Sequence, residues 1–106
     1  MDIAVIGLGK FGLEIISELV AEKHDITVID IYEEKVSEAI TDFDVIGLVG
    51  NGASGDILAE AGVENMDIVI ALTGSDELNL LCCLIARKMG AKKAVAEHCR
   101  KQEVSL

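Results

Sequence analysis

Three glycines, Gly7, Gly9 and Gly12 in the stretch AVIGLGKFG, and one aspartate, Asp30, have the types and spacing to hold a phosphorylated ligand. Each glycine in Gly-x-Gly-x-x-Gly has its own physical use. Gly7 permits a tight turn, Gly9 lets a pyrophosphate approach the backbone, and Gly12 lets a following helix pack close to the preceding strand. That helix then offers free N–H groups and partial positive charge to the phosphates. Asp30 stands 18 residues past Gly12. A carboxylate there accepts hydrogen bonds from both hydroxyls of an adenosine ribose and repels a 2′-phosphate. No arginine follows it, so the pattern favours NAD(H), or another adenosine ligand such as ATP, ADP or AMP, over NADP. The competing reading is structural: glycines that only make a tight turn and an aspartate that only caps a strand. Lys10 stands where a basic side chain reaches phosphate, or is simply solvated. Tyr32 either flanks the adenine or is a half-exposed surface tyrosine.

These residues need a strand before the glycines and a helix after them. The β-branched run DIAVI, 2–6, is a strand buried on both faces. Residues 10–22 place Gly12, Ile15, Ile16, Leu19 and Val20 at helical spacing. DITVID, 25–30, is a second strand and 33–41 a second helix. DVIGLV, 44–49, is a third strand, weakened by Gly47. NGASGD, 51–56, is a turn cluster with Ser54 as a cap for a short helix near 55–61. DIVIAL, 67–72, is a fourth strand. Ser75 or Asp76 caps a helix to about Met89, stopped by Gly90, and KKAVAE, 92–97, is a fifth strand. Strands alternating with helices predict an α/β, Rossmann-like doubly wound parallel sheet of order 3-2-1-4-5. Its crevice lies at the switch between strands one and four. The chain reads as a single domain, 1–106, that ends before a sixth strand.

A chain of 106 residues, 51% hydrophobic and 26% charged, has enough apolar surface for a core. Its net charge of −10 makes nucleic acid a poor partner. There is no apolar run long enough to span a membrane and no signal-peptide pattern at the start, so a cytoplasmic protein is expected. Cys82, Cys83 and Cys99 lack the spacing of a disulfide framework, and the first two lie in an apolar helical run. His24 precedes strand two, far from the strand ends where ligands sit. His98 follows strand five without an evident orienting partner. A dehydrogenase would also need an acid, base or nucleophile and a region to hold substrate. An NAD-dependent oxidoreductase module and a stand-alone nucleotide-binding stress protein are therefore the rival readings to a sensor, and neither catalytic nor metal-binding residues are assigned.

The helix LNLLCCLIARKM is apolar on more than one face. Leu78, Leu81, Cys82 and Ile85 form one stripe, and Leu80, Cys83 and Leu84 lie off it. One face covers the sheet and the other is expected to join a homodimer, together with the edge of strand five.

VIGLGKFG, HDITVID, GNGAS and AGVENMDIVIALTGSDELNLLCCLIARKMGAKKAVA together resemble the N-terminal nucleotide-binding domain of Trk/Ktr potassium-uptake regulators. These are the RCK or KTN domains, which also gate some potassium channels. The resemblance implies a cytoplasmic regulatory subunit that sits at the inner face of the membrane through its partner. It implies dimers or larger rings, NAD(H) or ATP/ADP as ligand, and a potassium transporter or channel as that partner. It assigns Gly7, Gly9, Lys10, Phe11 and Gly12 to the phosphate loop. Asp30, with Ile31 after it, falls at the ribose, Asn51 and Gly52 after strand three, and Thr73, Gly74 and Asp76 after strand four. Asn51 departs from the family's usual aspartate. Ala96-Glu97 departs from the usual Ala-Arg, and resembles the Ala-Glu of calcium-gated members, although Cys99 stands where their second carboxylate would be. Glu97 is expected beside the crevice on the phosphate side, where its charge favours NAD or ADP over ATP without metal.

Overall fold

The computed structural model describes residues 1–97 in full and residues 103–105 as backbone. Six strands, β1 (Asp2–Ile6), β2 (Asp25–Asp30), β3 (Ile46–Val49), β4 (Ile68–Ala71), β5 (Ala94–Glu97) and β6 (Glu103–Ser105), form one sheet of order β3-β2-β1-β4-β5-β6. The first five run parallel, in the predicted order. Four helices follow the strands: α1 (Lys10–Ala21), α2 (Glu33–Asp42), α3 (Gly55–Glu60) and α4 (Asp76–Met89).

The central strands are apolar on both faces because both are covered. Ala4 and Ile6 of β1 join the core under α3 and α4, and Ile3 and Val5 join the core under α1 and α2. Ile6 lies level with Ile29 on one side and Ala71 on the other, so β1, β2 and β4 end together. The chain leaves β1 toward β2 and returns across it to β4, and the crevice opens where these two directions diverge.

Four expectations are corrected. A sixth strand exists: β6 pairs antiparallel with β5, Val95 opposite Ser105 and Glu97 opposite Glu103. Three residues with no periodicity of their own carry little signal of a strand. This strand also covers the edge of β5 that was expected in a dimer. A 3₁₀ turn, Val63–Asn65, was not anticipated between α3 and β4. The strands β3, β4 and β5 are two residues shorter than read, because their apolar flanks continue into loops.

The fourth correction concerns α4. Ser75 caps it, its hydroxyl accepting the Leu78 N–H at 3.2 Å, and Gly90 ends it at φ 122°. The face against the sheet is Asn79, Cys82, Cys83 and Ala86, while Leu81 and Leu84 are 47% and 55% exposed. Small side chains here meet Ala71, Ala94 and Ala96, so the helix lies close to β4 and β5 and the leucines are turned outward.

Candidate functional site

The glycine turn runs from the end of β1 into α1. Gly7 has φ +103°, and its N–H donates to the Ile29 carbonyl at 2.9 Å. A Cβ on Gly7 would lie 2.7 Å from the carbonyl carbon and oxygen of Leu72. Gly12 is buried, and a Cβ there would collide with the Gly7 carbonyl oxygen. Gly9 is different. It is the N-cap of α1 at φ −70°, no side chain caps that end, and a Cβ would meet nothing within 4 Å. Two glycines are therefore needed by the fold, and the third borders open space.

Asp30 ends β2 beside this turn. Its Oδ2 accepts the Leu8 N–H at 2.8 Å and its Oδ1 the Tyr32 N–H at 2.9 Å. Its backbone carbonyl accepts the Gly50 N–H at 2.9 Å, which brings the loop after β3 alongside. There Asn51 folds back on itself, its Oδ1 accepting the Ala53 N–H at 2.8 Å. Gly52 is buried against Ile6 and would place a Cβ 3.4 Å from the Cys82 sulfur.

These pieces enclose a crevice of about 520 Å³ whose lining includes Gly7, Leu8, Gly9, Asp30, Ile31, Asn51, Gly52, Thr73 and Gly74. It also includes Tyr32, Lys35 and Ser75. The Lys35 ammonium lies 5.5 Å from the centre of the Tyr32 ring. Lys35 was not anticipated, although its place one turn into α2, five residues past Asp30, was a usable signal.

Four expected residues stand elsewhere. Lys10 lines a separate shallow hollow with Leu13, Glu14 and Ser17. Gly12 lies behind the turn. Phe11 and Glu97 line a neighbouring groove of about 450 Å³ with Ile15, Ile68, Ile70, Leu72, Lys93 and Val95. Leu72 borders both spaces. The Glu97 Oε2 is buried in this groove with no hydrogen-bond partner. His98 and Cys99 lie outside the described residues. His24 is at the other end of the sheet, its Nδ1 3.1 Å from the amine of Met1.

Asn79 was missed. It is 1% exposed, and its amide holds the lip after β4. Its Oδ1 accepts from the Thr73 N–H at 2.8 Å and the Thr73 hydroxyl at 2.6 Å. Its Nδ2 donates to the Thr73 carbonyl at 3.2 Å and the Glu97 carbonyl at 2.9 Å. The signal was a single amide among the apolar residues of LNLLCC. Beneath it, burial pushes the thiols of Cys82 and Cys83 up to about 11, with the neighbouring Cys82 adding to the shift at Cys83.

Among known proteins, the chain is 34% identical over 96 residues to a Trk system potassium uptake protein TrkA homolog of Methanothermobacter thermautotrophicus. That match covers 91% of this chain and 44% of the relative. It is 40% identical over 97 residues to the TrkA homolog of Archaeoglobus fulgidus, covering 90% of this chain and 21% of the relative. The chain thus spans less than half the length of these relatives. Its fold matches the TrkA-N domain of inner membrane protein ybaL from Escherichia coli, with TM-score 0.84, 21% identity, and 91% and 71% of the two chains covered. It matches the GsuK channel bound to NAD with TM-score 0.78, 21% identity, and 90% and 17% covered. It matches the AMP-bound Kef C-terminal domain of Shewanella denitrificans with TM-score 0.76, 19% identity, and 92% and 58% covered. The TrkA-N domain model matches residues 3–106, and the chain belongs to the TrkA-N family.

Proposed function

We propose that this chain binds NAD(H), or another adenine nucleotide, in the crevice above the glycine turn, and that ligand state regulates potassium transport through a membrane partner. The observation that carries the ligand reading is the Asp30 carboxylate. It is held by Leu8 and Tyr32 beside a Gly9 that faces open space. The adenosine ribose sits on Asp30, flanked by Ile31, Asn51 and Gly52. The diphosphate lies over Gly7 and Gly9 at the N-terminus of α1, and Thr73 and Gly74 form the opposite lip.

The regulatory reading draws support from the family. Relatives are named as potassium uptake proteins, and two structures of the same fold were solved with NAD and with AMP. On this reading the chain is a cytoplasmic, self-associating sensor, not an enzyme. Among the described residues no helix is long and apolar enough to cross a membrane, so the transport step belongs to a partner.

The test is calorimetric titration with NAD, NADH, ATP, ADP and AMP, followed by potassium uptake in a strain lacking the chain. Uptake should be restored by wild type and not by Asp30→Ala. Absence of adenine-nucleotide binding at millimolar concentration would overturn the ligand reading. Oxidation of NADH with an added substrate would favour the oxidoreductase instead.

A further inference from the structure

Parallel sheets are normally covered on both faces, yet one part of this sheet is bare. On the α1 side of β4 and β5, the groove is floored by Ile68, Ile70, Leu72 and Val95 and walled by Phe11 and Ile15. From β4 to β6 the bare strip is about 10 Å wide, the diameter of a helix. Its charges sit at opposite ends of β5: Lys93 at the start, and Glu97 at the finish with its orphaned buried oxygen.

The same chain carries a matching object. At 100° per residue, Glu77, Leu81, Leu84 and Lys88 share the outermost stripe of α4, opposite Asn79, Cys82, Cys83 and Ala86. All four are exposed. Glu77 and Lys88 are about 16 Å apart along the helix axis, and Lys93 and Glu97 about 13 Å apart along the strand.

We infer that α4 of one copy docks in this groove of a second copy. Leu81 and Leu84 lie on Ile70 and Val95, Glu77 meets Lys93, and Lys88 reaches the unpartnered Glu97 carboxylate. The reversed orientation would set Glu77 against Glu97 and Lys88 against Lys93, so charge fixes the polarity. The two surfaces lie on opposite faces of the sheet, because α4 packs on the Val69, Ala71 and Ala94 side and the groove on the Ile68 and Ile70 side. One pair of copies therefore cannot exchange both contacts. The contact is head-to-tail, and repetition closes a ring or extends a filament. A single helix stripe is a small interface, so association is weak at each joint.

Light scattering on the 106-residue chain tests this without ligand, and so independently of the nucleotide reading. Wild-type mass should rise over about 10 μM to 1 mM, the range of a small interface. Lys88→Glu and Glu97→Lys should each weaken association by about tenfold or more, and the double reversal should restore it. Leu84→Glu leaves only the groove usable, and Glu97→Lys leaves only the helix. Mixed, these two monomeric variants should give a 1:1 dimer near twice 11.3 kDa that grows no further. A wild type that stays monomeric at 1 mM, association indifferent to both charge reversals, or a mixture that stays monomeric would each overturn the head-to-tail contact.

Discussion

Gly9→Ala separates a ligand-binding turn from a merely tight one. Gly9 has an extended backbone, φ −70° and ψ −175°, that alanine adopts freely. An added methyl meets no protein atom within 4 Å. Replacing glycine reduces the entropy of the unfolded chain, a gain of about 0.4–1 kcal/mol. Alanine is a poorer N-cap than glycine, a loss of about 0.5–1 kcal/mol. The two offset, so the melting temperature should stay within about 4 °C of wild type, given about 4–8 °C per kcal/mol for a domain of this size. Gly7→Ala behaves differently. Its φ of +103° and the Leu72 backbone 2.7 Å from the new methyl predict a loss of about 2–5 kcal/mol. If the open space at Gly9 is where a pyrophosphate sits, the methyl of Gly9→Ala intrudes on it. Overpacking of about 1–3 kcal/mol then weakens NAD binding by about 5- to 150-fold. Calorimetry and thermal melts on the same preparation check both halves. Unchanged NAD affinity in a stable Gly9→Ala would show that the open space is not the phosphate site. Destabilisation beyond about 1 kcal/mol would show that Gly9 serves the fold.

Asp30→Ala should weaken NAD binding by about 1.5–3 kcal/mol, the scale of hydrogen bonds to a charged group. It should also lower stability in denaturant, because the Leu8 and Tyr32 N–H groups lose their acceptors. Asn79→Leu keeps the volume but strips partners from Thr73 and from the Glu97 carbonyl. The denaturant midpoint should fall by the equivalent of about 2–4 kcal/mol. The thiols of Cys82 and Cys83, raised from 9.0 to about 11, hold their protons longer in the folded state than in the unfolded. Their contribution is thus fully present below about pH 9 and lost as pH rises through about 11, up to about 2–3 kcal/mol per thiol. Urea midpoints between pH 8 and pH 11 should fall more steeply in wild type than in Cys82→Ala/Cys83→Ala.

The parallel core of the fold was legible because its signals are local and periodic. Runs such as DIAVI and DITVID are apolar at every position, which only a strand buried on both faces requires. The crevice was legible on the side of β1 and β2, where the glycines and Asp30 have backbone roles tied to fixed spacing. It was less so on the side of β4. Asn79 hides inside a hydrophobic helix, and only the fold shows that one amide can reach both Thr73 and Glu97. The division of α4 into faces failed for a related reason. Counting apolar residues favours leucines for the core, whereas close packing of a helix on alanine-rich strands selects Cys82, Cys83 and Ala86. Glu97 was placed by strand length alone. The structure turns its side chain toward Ile70 and Val95, a matter of which face of β5 it occupies, and a shift of one residue reverses that.

The two halves of the crevice differ in how they are held, and this bears on how a bound ligand could be felt. Asp30 is already oriented in the free protein. Each carboxylate oxygen uses one lone pair on a backbone N–H, and an ionised carboxylate has about four such sites. Acceptor capacity for two ribose hydroxyls therefore remains without rearrangement, which lowers the ordering cost of binding. This half recognises. The Thr73 lip is held by an amide that is also bonded to the last carbonyl of β5. Three of the four bonds of Asn79 go to Thr73 and the fourth to Glu97. A ligand that shifts Thr73 must move Asn79, stretch its bond to Glu97, or carry the end of β5 along. Leaving the buried amide or the Glu97 carbonyl unsatisfied is the costly option, so movement of the lip and of the β5 end is shared. The groove proposed to receive α4 of a second copy ends at Glu97. Occupancy of the crevice and the geometry of that contact are thus joined through one side chain.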